Sequence, residues 1–137
     1  MYCGTGTIAI CLSNAARRVI GFEIVDAAIS DAEKNCLKNG VSNCTFYRGD
    51  IKDRLSEALQ KPDVMIIDPP RDGMHKSVVQ QVLNMLPGRI IYVSCNPATL
   101  ARDLGLMKDA YQVIEVQPVD MFPHTFHIES VARLQKR

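Results

Sequence analysis

Three groups of residues in this chain have the types and spacing to do chemistry together. The first is Ser94-Cys95-Asn96-Pro97, which follows the apolar run RIIYVS at residues 89–94. A thiol just before a helix that starts with proline at its first position sits where the helix dipole favours the thiolate, the nucleophilic form. Such a thiolate can attack an electron-poor carbon and form a covalent intermediate. The second group is Asp68-Pro69-Pro70-Arg71, which closes the apolar run VMII at residues 64–67. Consecutive prolines have fixed φ and no N–H, so the loop is stiff and cannot continue a sheet. It holds Asp68 at a defined place, as enzymes that grip an extruded base require. The same rigid turn also fits a plain structural role, with Asp68 capping a helix. The third group is the polar segment His124-Thr125-Phe126-His127-Ile128-Glu129, whose last residue is either a general base or an ordinary surface carboxylate.

A fourth feature points to a cofactor. Gly4-Thr5-Gly6 is a turn in which backbone can approach a ligand without a Cβ in the way. Glu23, at the end of the next apolar run, can accept hydrogen bonds from ribose hydroxyls. Turn and carboxylate together fit an adenosine-type cofactor and do not choose between a nicotinamide dinucleotide and S-adenosylmethionine, while Glu23 also fits a solvated strand end. His124 and His127 are three apart without a third ligand, so no metal site is expected. His75 stands outside these motifs and is assigned no role.

These residues must be positioned by elements the pattern makes visible. Helical spacing covers residues 7–14, 26–39 (closed by Gly40), 51–59, 76–86 and 98–107. Strand-like runs cover residues 18–24, 45–48, 64–67, 89–94, 111–119 and 128–134. Strands alternating with helices imply a mostly parallel sheet covered on both faces. The last two strands have no helix between them and should form a C-terminal antiparallel hairpin. The glycine turn arrives at residue 4, so the first strand is expected to be truncated. In such sheets ligands bind beyond the carboxyl ends of the strands. The glycine turn, Glu23, Asp50, Asp68 and Cys95 all fall at those ends, and the hairpin brings Glu129 to the same rim.

The chain has 137 residues, 47% of them apolar, and a net charge of +1. This is one domain's worth, residues 1–137. No apolar run is long enough for a membrane span, and no basic segment followed by an apolar stretch marks a signal peptide. The five cysteines are odd in number and form no CxxC pair, which argues against a disulfide framework or zinc cluster and for a reducing, cytoplasmic setting. Cys11 and Cys36 fall in helical apolar patterns and are expected to be small buried hydrophobes. A charge so near neutrality is a weak footprint for a nucleic-acid binder.

Several motifs resemble one family, in its order and across essentially the whole chain. They are YCGTGTIA from Tyr2, Phe22-Glu23, Gly49-Asp50, DPPR at residues 68–71, VSCNP at 93–97, LARDL at 100–104, QPVDMFPHT at 117–125 and HIE at 127–129. The chain resembles the catalytic domain of uridine-C5 RNA methyltransferases that act on transfer and ribosomal RNA. The resemblance implies a Rossmann-like class I S-adenosylmethionine-dependent methyltransferase fold. It implies cofactor contacts at Tyr2, Glu23, Asp50 and Asp68 beside the Gly4-x-Gly6 turn, Cys95 as nucleophile and Glu129 as proton acceptor. Asp68, Arg71 and Asn96 become candidates for holding the substrate, with Asp68 and Asn96 able to hydrogen-bond either the base or the methionine part of the cofactor. Amino-directed DNA methyltransferases place an aromatic after the two prolines, and Arg71 argues against that chemistry. Thr7 replaces an asparagine common in the family and is not expected to be a ligand. The family also carries an upstream RNA-binding portion, sometimes with an iron–sulfur cluster. Its expected absence here would account for the near-neutral charge.

The expected reaction is thiolate attack by Cys95 on uracil C6, methylation of C5, removal of the C5 proton by Glu129 and elimination of Cys95. Two rivals remain: a folded but inactive cofactor-binding fragment, and a nicotinamide-dependent oxidoreductase. The second rests on the glycine turn alone and leaves Cys95 and Glu129 without a purpose.

Overall fold

The computed structural model describes residues 1–55 and 61–137. It forms two compact units, Met1–Glu57 and Ala58–Arg137. The last residues of the helix expected over 51–59 lie outside the described ones.

In the first unit, α1 (Thr7–Leu12) runs into a 3-10 turn (Ser13–Ala15), followed by β1 (Val19–Glu23), α2 (Asp26–Lys38), β2 (Cys44–Arg48) and α3 (Ile51–Arg54). The strands pair in parallel, Val19 opposite Cys44 through Glu23 opposite Arg48. Phe22, Ala32 and Cys36 are buried between sheet and helix. Gly40 ends α2 at φ 65°, where Val41 N–H donates to the Cys36 carbonyl and Gly40 N–H to the Leu37 carbonyl. That is a Schellman closure, which needs a left-handed residue. Helix α1 is shorter than its apolar pattern predicts because Ser13 donates its hydroxyl to the Ile10 carbonyl at 2.7 Å, tightening the last turn. One expectation fails: Cys11 is exposed, since the inward face of this short helix is taken by Ala9.

The second unit contains β3 (Val64–Ile67), α4 (Lys76–Met85), β4 (Arg89–Ser94), α5 (Pro97–Met107), β5 (Tyr111–Val119) and β6 (Glu129–Lys136). The strand order is β3-β4-β6-β5. β3 and β4 are parallel, whereas β6 runs antiparallel to both β4 and β5. The hairpin is thus present, with its returning strand inserted against β4. Among the described residues, the first unit holds the parallel pair β1–β2 and the second this four-stranded sheet, in keeping with the mostly parallel pattern and C-terminal antiparallel hairpin read from the sequence. The apolar runs of β3 and β4 bury Met65, Ile67, Ile90 and Tyr92, and α4 buries Val78, Val79 and Val82 along one face at helical spacing. β5 is the exposed edge strand, blunted by an irregularity between Val113 and Glu115 and by Pro118.

Candidate active site

In the second unit the strand directions decide what meets at the rim. β3 and β4 end there with Asp68 and Cys95 following, β5 ends there at Val119, and β6 begins there at Glu129. The last β4–β6 pair is Ser94 opposite Ser130, so Cys95, just after β4, and Glu129, the first residue of β6, each lie one residue from that pair at the same end of the sheet. Alternation adds the facing: Ser130, Ala132 and Leu134 are buried on one face of β6, so Glu129 projects from the other, with Val131. Val93, across from Val131, shares that face.

Cys95 is half-buried at the apex of a tight turn. Buried Ser94 shapes that turn, accepting from Asn96 N–H at 3.1 Å and donating to the Asn96 carbonyl at 3.0 Å. Asn96 caps α5, its Oδ1 accepting from Ala98 N–H at 3.0 Å, with Pro97 at the start of the helix as the sequence predicts. Its Nδ2 donates to the Arg71 carbonyl at 3.3 Å. One hydrogen and one lone pair of that amide remain for a ligand. Glu129 is half-buried and its carboxylate makes no hydrogen bond among the described residues. The preceding segment is braced by Thr125, whose hydroxyl donates to the Phe122 carbonyl at 2.8 Å and accepts from His127 N–H at 3.2 Å. Phe126 stands 86% exposed there, its ring 4.3 Å from that of His127.

Asp68 is half-buried, and burial raises its carboxyl pKa above the ordinary value. Helix α4 is capped by His75, whose Nδ1 accepts from Ser77 N–H, so the helix-capping alternative for Asp68 fails and His75 has a structural use. Arg71 is exposed. Its loop is held by residues to which the sequence motifs assign no role. Thr99 donates to the Arg71 carbonyl at 3.2 Å, and Arg102 donates to the carbonyls of Asp72 and Met74 at 2.9 and 3.1 Å. Asp103 is fully buried and accepts from Met74 N–H at 2.8 Å and Tyr92 O–H at 2.6 Å. A signal for Asp103 exists in the sequence: it occupies the inward helical face with Leu100 and Met107, where periodicity calls for an apolar residue.

In the first unit, the glycine turn and Glu23 form one assembly. Glu23 Oε2 accepts from Gly4 N–H at 2.9 Å, and Oε1 accepts from the N–H groups of Ile24 and Val25 at 2.8 and 3.1 Å. Glu23 is thus no solvated strand end; it ties the glycine turn to β1. Gly6, at φ 82°, packs so closely that a Cβ would lie 3.0 Å from Ala32 Cβ and 3.1 Å from Phe46 Cζ. Gly4 has φ 50° and only open space where a Cβ would point. Tyr2 also has positive φ, at 56°. Asp50 caps α3, accepting from Lys52 N–H at 2.9 Å. Burial raises the Cys3 thiol above its ordinary value. A cavity of about 590 Å³ lies at the other end of this unit, between the end of α1 and the segment leading into β2, away from the glycine turn. No cluster of three or more His, Cys, Asp or Glu suited to a metal occurs among the described residues, and none of their helices is long and apolar enough to cross a membrane.

Comparison with known proteins yields concordant matches. The model of the tRNA (uracil-5-)-methyltransferase family matches residues 1–137. A protein of Bacteroides thetaiotaomicron named an uncharacterized RNA methyltransferase is 54% identical over 141 residues, covering 100% of this chain and 31% of the relative. A likewise named protein of Porphyromonas gingivalis is 54% identical over 140 residues, covering 98% of this chain and 30% of the relative. The chain therefore spans about a third of the length of these relatives. The crystal structure of Pyrococcus abyssi tRNA (uracil-54, C5)-methyltransferase in complex with S-adenosyl-L-homocysteine is 39% identical with a TM-score of 0.88, covering 98% of this chain and 33% of that one. An rRNA methylase of Streptococcus thermophilus, 14% identical, has a TM-score of 0.77 over 98% of this chain and 82% of its own, which shows the shared methyltransferase fold.

Proposed function

From a chain that belongs to the tRNA (uracil-5-)-methyltransferase family, we propose that the whole protein methylates C5 of a uridine in RNA, with Cys95 as nucleophile and Glu129 as base. The observation that carries this reading is the β4–β6 register, which supports a thiol and a carboxylate working on one bound pyrimidine. The RNA is of the transfer or ribosomal class. The first is favoured by the 39% identity to the Pyrococcus abyssi enzyme, whose name specifies a transfer RNA uridine.

The cofactor is S-adenosylmethionine, which when bound supplies a methyl group electrophilic enough for an activated carbon. The residues present fit it. Gly4 leaves open space beside a turn anchored by Glu23, and Asp68 is a half-buried carboxylate without a hydrogen-bond partner among the described residues. Tyr2, Gly4, Gly6, Glu23 and Asp50, all in the first unit, are the cofactor contacts of this reading, and Asp68 is a candidate carboxylate of the second unit by itself. Glu23 already accepts three backbone N–H groups, which leaves about one of its roughly four lone-pair sites for a ribose hydroxyl.

The chain's own chemistry then runs in order. The Cys95 sulfur bonds to uracil C6, and the displaced π electrons make C5 nucleophilic. After C5 has been methylated, Glu129 takes the C5 proton, the C5–C6 double bond reforms, and the C6–S bond breaks to free Cys95. Asp68 and Asn96 donate to or accept from the base edge, and exposed Arg71 meets RNA phosphate. The target must leave its stack to reach them. A nicotinamide-dependent oxidoreductase gives Cys95 and Glu129 nothing to do.

The test is methyl transfer from labelled S-adenosylmethionine to transfer and ribosomal RNA transcripts by the full-length protein, with the product nucleoside identified. Label in 5-methyluridine supports the reading; label only in another nucleoside, or none in either RNA, overturns it.

A further inference from the structure

Helix α5 does more than follow the nucleophile: it grips the loop that follows Asp68. Along one side of its first two turns, Asn96 and Thr99 both donate to the Arg71 carbonyl. One turn later Arg102 spans two carbonyls, those of Asp72 and Met74, with the same terminal nitrogen. Asp103 takes the Met74 N–H and is itself fixed from two sides, by Tyr92 O–H from β4 and by Arg102 Nε at 2.9 Å. A fully buried carboxylate is costly unless paired and hydrogen-bonded, and this one is satisfied mainly by groups that locate the loop. Gly73, at φ 74°, permits the approach: a Cβ there would stand 2.6 Å from Arg102 Nη2 and 2.8 Å from Asp103 Oδ2.

We propose that Arg102 and Asp103 are positioning residues, which lock the backbone of residues 71–74 to the helix that begins at the Cys95 turn, so that Asp68 and Arg71 are held in fixed relation to the nucleophile. The proposal rests on the methyl-transfer reading for its catalytic consequence and on the hydrogen bonds above for its mechanical part. It accounts for an acid on the inward face of α5 and for a glycine inside the Asp68 loop. Neither residue touches the reacting atoms.

The experiment uses the full-length protein with Arg102→Gln, chosen because Arg102 is half-exposed and its loss leaves the core filled. Gly73→Ala, which pushes the loop off the helix from the other side, is the second variant. Tyr92→Phe is the control: it removes a bond to the same Asp103 carboxylate from the sheet side. Amide exchange at Met74 reads the clamp directly, and single-turnover methyl transfer to RNA reads its consequence. The expected result is loss of Met74 protection and a fall of about ten- to a hundredfold in rate in Arg102→Gln and Gly73→Ala, with Tyr92→Phe lowering the melting temperature while keeping the rate within about twofold. Retained Met74 protection in the first two variants overturns the proposal. So does lost protection with an unchanged rate, or a rate loss in Tyr92→Phe equal to theirs. A wild-type protein that transfers no methyl group would instead sink the methyl-transfer reading, with Met74 exchange still deciding whether the clamp exists.

Discussion

Replacing Glu129 by glutamine exchanges one carboxylate oxygen for an amide of nearly the same size. The carboxylate is half-buried and makes no hydrogen bond among the described residues, so no folded-state partner is lost. Stability should stay within about 0.5 kcal/mol of the parent. The chemical effect is much larger, because glutamine cannot take the C5 proton. Loss of a positioned general base costs about 10²–10⁴ in rate, which is about 3–5 kcal/mol of barrier at 1.36 kcal/mol per tenfold. The loss falls on a step after the Cys95–C6 bond has formed, so the methylated adduct accumulates instead of substrate. The assay is a denaturing gel of the Glu129→Gln protein with labelled RNA: a slow band should appear, persist in the presence of reductant and vanish in the Cys95→Ala double variant. A Glu129→Gln protein that turns over at the parental rate would refute the reasoning. So would an inactive but fully folded one that forms no adduct, since that would place Glu129 before the covalent step.

Further outcomes follow from the same geometry. Cys95→Ala should abolish methylation and adduct formation while leaving S-adenosylhomocysteine affinity within about twofold by calorimetry, because the thiol is exchanged for a group of lower volume at an already half-open turn. Asp68→Asn should raise stability near neutral pH. Burial raises the folded carboxyl pKa, so the fold's preference for the protonated acid is fully present below the unfolded value of about 4 and lost as pH rises through the folded one; melting curves against pH should show the variant's advantage closing toward pH 4. Tyr111→Phe should cost about 1 kcal/mol in denaturant unfolding without touching activity, since this phenol donates to the Pro87 carbonyl at 2.8 Å and burial pushes its pKa up to about 12. Glu23→Gln should weaken S-adenosylhomocysteine binding by about tenfold or more, as one oxygen that anchors the glycine turn becomes a donor facing backbone N–H groups.

The elements were largely legible because their signals are local. VMII and RIIYVS are short apolar runs bounded by turn residues, and they form β3 and β4 at the expected residues. Gly40 and Pro97 punctuate α2 and α5 as their backbone chemistry requires. Where the reading failed, the deciding contact was distant or the element short. Cys11 falls in an apolar pattern, but six residues of helix bury only Ala9, and Cys11 is left outside. The tie from Glu23 to Gly4 spans 19 positions, and those from α5 to the Asp68 loop span 25 to 30. Pattern analysis assigns such residues a face but not a partner.

The placement of Glu129 shows why strand order matters more here than strand prediction. An antiparallel hairpin at the sheet's end can add either of its strands to β4. Had β5 been the neighbour, β6 would lie one strand further out, and Glu129 would stand about 9–10 Å from the β4 axis at the usual interstrand spacing of 4.7–4.9 Å. With β6 inserted, the reversal of direction makes its first residue, and not its last, arrive beside the end of β4. The side-chain period of two then selects Glu129 over Ser130: a slip of one residue would turn the carboxylate to the buried face, among Ala132 and Leu134. That register is held by six consecutive pairs from Arg89 opposite Gln135 to Ser94 opposite Ser130, three of them made of buried residues on both strands that tolerate no slip. The apolar alternation of β4 and β6, away from the rim, is therefore what brings Glu129 to the end of the sheet where Cys95 follows β4, the placement the proposed base and nucleophile require.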